Sequence, residues 1–104
     1  MVARFKHISA EQTQESLDND SVTVLDIRDP QSYELAHIDG AQRLDNASLP
    51  SFLSNTDKAS PVIVYCYHGI SSQQVAQFLI EQGFEDVASM DGGFEAWKTL
   101  TQVS

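Results

Sequence analysis

Hydrophobic positions along this chain follow two rhythms: short β-branched runs, and stripes that recur at helical spacing. Val22-Thr23-Val24-Leu25-Asp26-Ile27 is the first strong strand pattern. Pro61 opens a second run, Val62-Ile63-Val64-Tyr65, which reads as a buried central strand. Val87-Ala88-Ser89-Met90 reads as the last strand, Phe5 to Ile8 as a short edge strand, and Gln42-Arg43-Leu44 as a further one. Helices are expected between them. Ser9, with Gln12 three residues on, has capping-box spacing and starts a helix that runs to about Leu17. That helix stops in the turn-rich Asp18-Asn19-Asp20-Ser21. Asp29 caps a short helix opened by Pro30, and Gly40-Ala41 breaks that segment. A short helix over Leu49 to Leu53 carries Pro50 in its first turn. From about Ser72, the positions Val75, Ala76, Phe78, Leu79 and Ile80 form a helical stripe that ends at Gly83, a good C-cap. Gly92-Gly93 reads as a turn, and Phe94 to Leu100 as a closing helix. Strands alternating with helices predict an α/β fold, a parallel-type sheet covered on both faces.

Composition narrows the picture. The 104 residues suffice for one domain, 1–104, and contain no internal repeat, low-complexity tract or linker. At 41% hydrophobic and 20% charged, the chain can build a modest core and is not a disordered segment. A net charge of −9 argues against nucleic acid or an anionic membrane as the main partner. The longest apolar run is far too short to span a bilayer, and Met1-Val2-Ala3-Arg4-Phe5-Lys6-His7 has no apolar run behind its charges, so no signal peptide is expected. There is no Cys/His cluster at metal-ligand spacing. The single cysteine, Cys66, has neither a disulfide partner nor a resolving thiol in the chain, which suits a reducing compartment and predicts a cytoplasmic protein.

Cys66 stands at the end of the central strand, before Tyr67-His68-Gly69-Ile70-Ser71-Ser72 and a helix. A thiol placed there faces converging backbone N–H groups. Sulfur nucleophiles act as thiolates, and a cysteine of ordinary pKa is only about 3% ionised at pH 7. Lowering that pKa by about two units takes roughly 2.7 kcal/mol of preference for the anion. A helix N-terminus supplies up to about 2 kcal/mol, and a nest of loop N–H groups can supply the remainder. Gly69 gives the tight loop one residue free to take positive φ. Ser71 and Ser72 can cap the helix or donate hydroxyl hydrogen bonds to a bound anion. The competing reading is an inert buried thiol, and the residues alone leave both open.

Three segments resemble the rhodanese-family sulfurtransferases, in particular their single-domain thiosulfate sulfurtransferases. Asp26-Ile27-Arg28-Asp29-Pro30 through Tyr33, with His37-Ile38-Asp39-Gly40-Ala41, resembles the family's first signature. Cys66 to Ser72 resembles the active-site loop, and Gly92-Gly93-Phe94-Glu95-Ala96-Trp97 the C-terminal signature. The resemblance implies a five-stranded parallel sheet and a double displacement without a cofactor. In that reaction the thiolate takes the outer sulfur of thiosulfate, sulfite leaves, and the resulting persulfide passes its sulfur to cyanide or a thiol, for example on a thioredoxin-like dithiol protein. It implies Cys66 as nucleophile and residues 67–72 as the substrate-binding loop, in a monomer or weak homodimer.

Two departures bear on chemistry. Many members follow C-x-x-G-x-R-S, and the arginine position here is Ser71, so His68 is the loop's only potential cation. Weak attraction for a dianion, and a high KM for thiosulfate, are expected. Ala36 stands where the first signature usually has glycine before His37. A cysteine phosphatase would need Cys-x5-Arg to hold a phosphoryl transition state, and that sixth position is Ser72. A sulfur carrier fed by another protein's persulfide and a non-catalytic binding module are the other rivals. Arg28 and Asp29 are expected to brace the loop from the neighbouring strand end, with an ordinary surface ion pair as the alternative. Asp26 is expected to bond locally, and His37 to bond backbone near the Gly40 turn. His68 reads either as an anion-holding or loop-orienting group or as an exposed loop histidine. Phe94 and Trp97 are expected in the core, and Glu81, Glu85, Asp86 and Asp91 on a solvated face.

Overall fold

The computed structural model describes residues 4–19 and 22–101. Met1 to Ala3, and the Asp20-Ser21 part of the expected turn, lie outside the described residues. The strands are β1 (Lys6–Ile8), β2 (Thr23–Asp26), β3 (Gln42–Arg43), β4 (Val62–Tyr65) and β5 (Val87–Met90). The helices are α1 (Ala10–Asn19), α2 (Pro30–Leu35), α3 (Leu49–Asn55), α4 (Ser71–Glu81) and α5 (Gly93–Thr101). Every strand pair is parallel, in the order β1-β5-β4-β2-β3. The central strand β4 pairs with β2 from Thr23↔Val62 to Asp26↔Tyr65, and with β5 from Val62↔Val87 to Val64↔Ser89.

A parallel sheet needs crossovers, and the helices between its strands bury both faces. The pleat sorts the side chains. Leu25, Val62 and Val64 pack with Phe52 of α3 and Ala76 and Leu79 of α4. Val24, Ile63, Tyr65 and Met90 face the other way, with Ala10 of α1 and Phe94 of α5. Phe94 is buried, and Trp97 is only partly buried at the edge of the same cluster.

Local chemistry sets the element ends. The Ser9 hydroxyl accepts from the Gln12 N–H at 3.0 Å, and the Gln12 side chain accepts from the Ser9 N–H at 3.0 Å, a closed capping box. The Asp29 carboxylate accepts from the Ser32 N–H at 3.1 Å and caps α2. Ala36 ends α2 in extended backbone (φ −168), which any residue adopts, so no glycine is needed there. His37 bonds the Tyr33 carbonyl at 2.7 Å and stacks on the Tyr33 ring. It does not serve the Gly40 turn; the Tyr33 hydroxyl does, donating to the Ala41 carbonyl at 2.6 Å.

Because all strands run one way, their C-terminal ends share one edge of the sheet. Asp26-Ile27-Arg28-Asp29, Cys66 and Asp91-Gly92-Gly93 therefore meet there, where open α/β sheets place their sites.

Candidate active site

Cys66 is the first residue after β4, and five residues later the chain enters α4. The curl wraps N–H groups around the sulfur. Sγ accepts from the Gly69 N–H at 3.2 Å and the Ser72 N–H at 3.3 Å, and lies 3.4 Å from the Ser72 hydroxyl. Gly69 makes the curl possible at φ +88. A Cβ there would also stand 2.7 Å from the Gly92 nitrogen, so only glycine fits. Cys66 is 4% exposed, and that burial pushes its thiol up. Hydrogen bonds from the Ser72 hydroxyl and from the N–H groups of Ser72, Gly69 and His68 outweigh burial, and the thiol sits below its ordinary value.

The loop is itself held from below. At the start of α5 the Phe94 N–H donates to the Cys66 carbonyl at 2.8 Å and the Glu95 N–H to the Tyr67 carbonyl at 3.1 Å. Two of the N–H groups that a helix leaves unpaired thus find partners in the loop backbone. The approach is so close that a Cβ on Gly93 would lie 2.5 Å from the Cys66 oxygen. From the other side, the Gln73 side-chain amide donates to the Gly69 carbonyl at 2.7 Å.

Arg28 and Asp29 both reach this assembly. Arg28 is 5% exposed, which rules out the surface-ion-pair alternative. Its Nη2 bonds Asp26 Oδ2 at 2.7 Å and the Ala36 carbonyl at 2.6 Å, and its Nε bonds Asp26 at 3.1 Å. Its guanidinium lies 4.1 Å from the ring centre of Phe94 and 5.9 Å from that of Tyr67. Burial works against that charge, but the hydrogen bond and charge of Asp26 more than restore it, and Arg28 is held above its ordinary value. Asp26 bonds beyond its own strand end as well, because the Tyr65 hydroxyl donates to it at 2.6 Å. Burial, then that bond, pushes the Tyr65 phenol up. Asp29 accepts from the Tyr67 hydroxyl and from the Ser32 hydroxyl at 2.8 Å. The Ser32 bonds hold its carboxyl below the usual range.

The remaining loop residues form the rim. Tyr67 is 42% and Ile70 74% exposed, and His68 and Ser71 are exposed too. Ser71 is not a cap: α4 begins at Ser71 itself, and the capping position is Ile70, which offers no side-chain acceptor. Nor does Ser72 cap or face outward. It is fully buried, donates its N–H to the sulfur and holds its hydroxyl 3.4 Å from it.

Residues 9–100 match the rhodanese-like domain family. The chain belongs to this family. Over 94 residues this rhodanese domain is 54% identical to a protein of Pseudoalteromonas translucida named thiosulfate sulfurtransferase GlpE, covering 90% of each chain. It is 50% identical to the protein of that name in Shewanella oneidensis, covering 92% of this chain and 95% of the other. The solution structure of the rhodanese-like domain of an Anabaena protein superposes with a TM-score of 0.82 at 29% identity, covering 90% of this chain and 74% of that one.

Three residues of this rhodanese domain escaped the sequence reading as site residues. Gly92 and Gly93 read as a turn at the start of the C-terminal signature and not as part of the site, yet both press against the Cys66 loop or its supporting helix. Two adjacent glycines opening a helix at a neighbouring strand end were the available signal. Ser89, in the otherwise apolar β5, is fully buried with its hydroxyl 2.7 Å from that of Ser72. A lone serine in a buried strand was the signal there. Among the described residues, no group of three or more His, Cys, Asp or Glu is placed to hold a metal ion, and no helix is long and apolar enough to cross a membrane.

Proposed function

We propose that this chain is a thiosulfate sulfurtransferase that works by double displacement through Cys66, with residues 1–104 acting as one domain. The observation that carries the reading is the set of polar groups on one sulfur: the Gly69 and Ser72 N–H groups donate to it, and the Ser72 hydroxyl lies 3.4 Å away. An inert structural thiol has no use for them. Relatives of 54% and 50% identity that bear the name thiosulfate sulfurtransferase support the same reading.

In the first half-reaction the Cys66 thiolate attacks the outer sulfur of thiosulfate. The sulfur–sulfur bond breaks, its electron pair leaves with sulfite, and Cys66 becomes a persulfide. The N–H groups of Tyr67, His68, Gly69, Ile70, Ser71 and Ser72 line the loop in which the outer sulfur and its negative charge come to rest. In the second half-reaction an acceptor attacks the outer sulfur. Cyanide leaves as thiocyanate, while a thiol carries the sulfur away as its own persulfide, and the Cys66 thiolate returns. A protein dithiol of the thioredoxin kind suits this step, because the exposed rim of Tyr67, His68 and Ile70 leaves the loop open to a second protein. Arg28 and Asp29 act by position, Asp29 through Tyr67 and Arg28 through Phe94. The chemistry needs no cofactor, and a lone thiol that must stay reduced between turnovers suits the cytoplasm. The domain works as a monomer or weak homodimer.

A donor other than free thiosulfate, namely another protein's persulfide, is favoured by one observation. The arginine packed under the loop is buried and committed to Asp26, so it offers no free cation to a dianion.

Intact mass after incubation with thiosulfate tests the reading. The wild type should gain one sulfur atom, lose it to cyanide or a dithiol, and gain nothing as Cys66→Ala. A wild type that gains no mass from thiosulfate or from a persulfide donor would overturn it.

A further inference from the structure

Sγ of Cys66, Oγ of Ser72 and Oγ of Ser89 stand in a row, 3.4 Å and 2.7 Å apart. Both serines are fully buried and the cysteine nearly so. Ser89 enters from β5, a strand whose four residues are all buried. Among the described residues, Ser72 is the only hydrogen-bond partner of the Ser89 side chain.

Three groups in a row make two contacts, and each contact uses one hydrogen. With Cys66 as a thiol the row holds three hydrogens, one more than its contacts can use. With Cys66 as a thiolate it holds two, and both are used. The direction is then fixed as well. A thiolate can only accept, so the Ser72 hydroxyl must donate to sulfur, and the Ser72 oxygen is left to accept from Ser89. In the thiol state the same row can run the other way, from S–H to Ser72 to Ser89.

From this geometry we infer that Ser89 is a positioning residue for the nucleophile. Its hydroxyl donates to Ser72, turns the Ser72 proton onto the sulfur, and so favours the ionised state of Cys66. Ser89 touches neither the sulfur nor the substrate and acts only through Ser72. The inference rests on Cys66 being the nucleophile. It adds a residue on β5, the strand paired with β4, on the far side of the Ser72 hydroxyl.

The test follows Cys66 ionisation by thiolate absorbance and by the pH dependence of its alkylation with iodoacetamide. Wild type is compared with Ser89→Ala and Ser89→Thr. Wild type should titrate below the ordinary thiol value. Ser89→Ala should titrate higher by up to about one pH unit, the size of one neutral hydrogen bond, because the Ser72 oxygen loses its donor. Ser89→Thr keeps a hydroxyl and should return most of the shift. A second measurement needs no variant: the Ser89 Cβ resonance of the wild type should titrate with the same midpoint as that of Cys66, because its hydroxyl changes partner roles when the sulfur ionises. A depressed wild-type midpoint that Ser89→Ala leaves unchanged, or a Ser89 resonance that stays flat across the Cys66 titration, overturns the inference alone. An ordinary wild-type midpoint overturns the nucleophile reading, and this inference with it.

Discussion

Replacing Gly93 by alanine tests whether α5 sets the active-site loop. Gly93 lies at φ +58, and a Cβ there would stand 2.5 Å from the Cys66 oxygen, 2.5 Å from the Tyr67 carbonyl carbon and 2.6 Å from the His68 nitrogen. All three are backbone atoms, so no side chain can swing aside. Left-handed backbone costs an alanine about 1–2 kcal/mol. Overpacking where nothing can yield adds about 1–3 kcal/mol. The loop can escape the contact only by backing off α5. It then gives up the Phe94 N–H bond to Cys66 (2.8 Å) and the Glu95 N–H bond to Tyr67 (3.1 Å), and the N–H groups around the sulfur shift with it. Gly40→Ala is the control, because Gly40 has φ +84 and nothing within 4 Å of an added Cβ. It carries the backbone cost without the clash. In a domain of this size about 1 kcal/mol moves the melting midpoint by about 4–8 °C. Thermal denaturation should place Gly40→Ala lower by about that amount, and Gly93→Ala lower still. Sulfur loading from thiosulfate, measured per folded molecule, should fall steeply in Gly93→Ala and stay near wild type in Gly40→Ala. A Gly93→Ala protein that melts with the control and loads sulfur at the wild-type rate would refute the claim that the α5 contact shapes the site.

Further outcomes follow from the same geometry. Arg28→Ala strands the fully buried Asp26 without its partner, and denaturation should show a loss of about 3–5 kcal/mol. The double variant Arg28→Met with Asp26→Asn should be clearly more stable than Arg28→Ala, and equal losses in the two would speak against a buried-charge penalty. Ser71→Arg places a cation at the exposed mouth of the loop. KM for thiosulfate should fall several-fold at low ionic strength and the gain should fade with added salt; a KM that does not move at low salt counts against the view that the missing cation limits binding. Folded Cys66 titrates below its unfolded value, so between the two the unfolded chain binds more protons. Stability should therefore rise with pH through that window and be lost as pH falls through the folded value. Urea midpoints should show this slope in the wild type and not in Cys66→Ala. Tyr67→Phe removes the hydroxyl held by Asp29, and kcat/KM should drop several-fold while the melting point stays put.

Much of the fold was legible because the elements carry local signals. The capping box at Ser9 and Gln12, the Asp29 cap before Pro30 and the buried run from Val62 to Tyr65 each specify one short stretch, and each formed as read. The placement of Cys66 followed from strand and helix patterns that flank it. What escaped depended on contacts between distant segments. Gly93 needs to be glycine because of atoms in residues 66–68; its neighbour Gly92 marks the backbone as unusual without saying what presses on it. Ser89 matters through a hydroxyl seventeen positions away. Two local details differ for a related reason: His37 bonds backbone as expected, but at Tyr33 rather than beside Gly40, and Ser71 does not cap α4. Each has a plausible local partner, and the choice among local partners was made by the register of α2 and by the point at which the loop closes into α4.

The site reconciles an anionic nucleophile with a protein of net charge −9. Long-range charge works against an anion here, and screening at about 8 Å weakens that opposition without reversing it. The donors around Sγ are dipoles within 3.4 Å, and their effect does not depend on net charge. The arginine packed beneath the loop is cancelled by Asp26 and contributes rigidity rather than potential. Short-range hydrogen bonds therefore stabilise charge on a sulfur already in place, while the loop from Cys66 to Ser72 carries no arginine or lysine to draw a dianion in from solution. Such a site discriminates between holding a sulfur and attracting its donor, and that separation predicts a slow capture of thiosulfate followed by a durable persulfide. Rapid mixing can tell the two apart: the rate of sulfur loading should rise with thiosulfate concentration well past the millimolar range without saturating, whereas transfer from the loaded enzyme to a neutral thiol should be insensitive to salt.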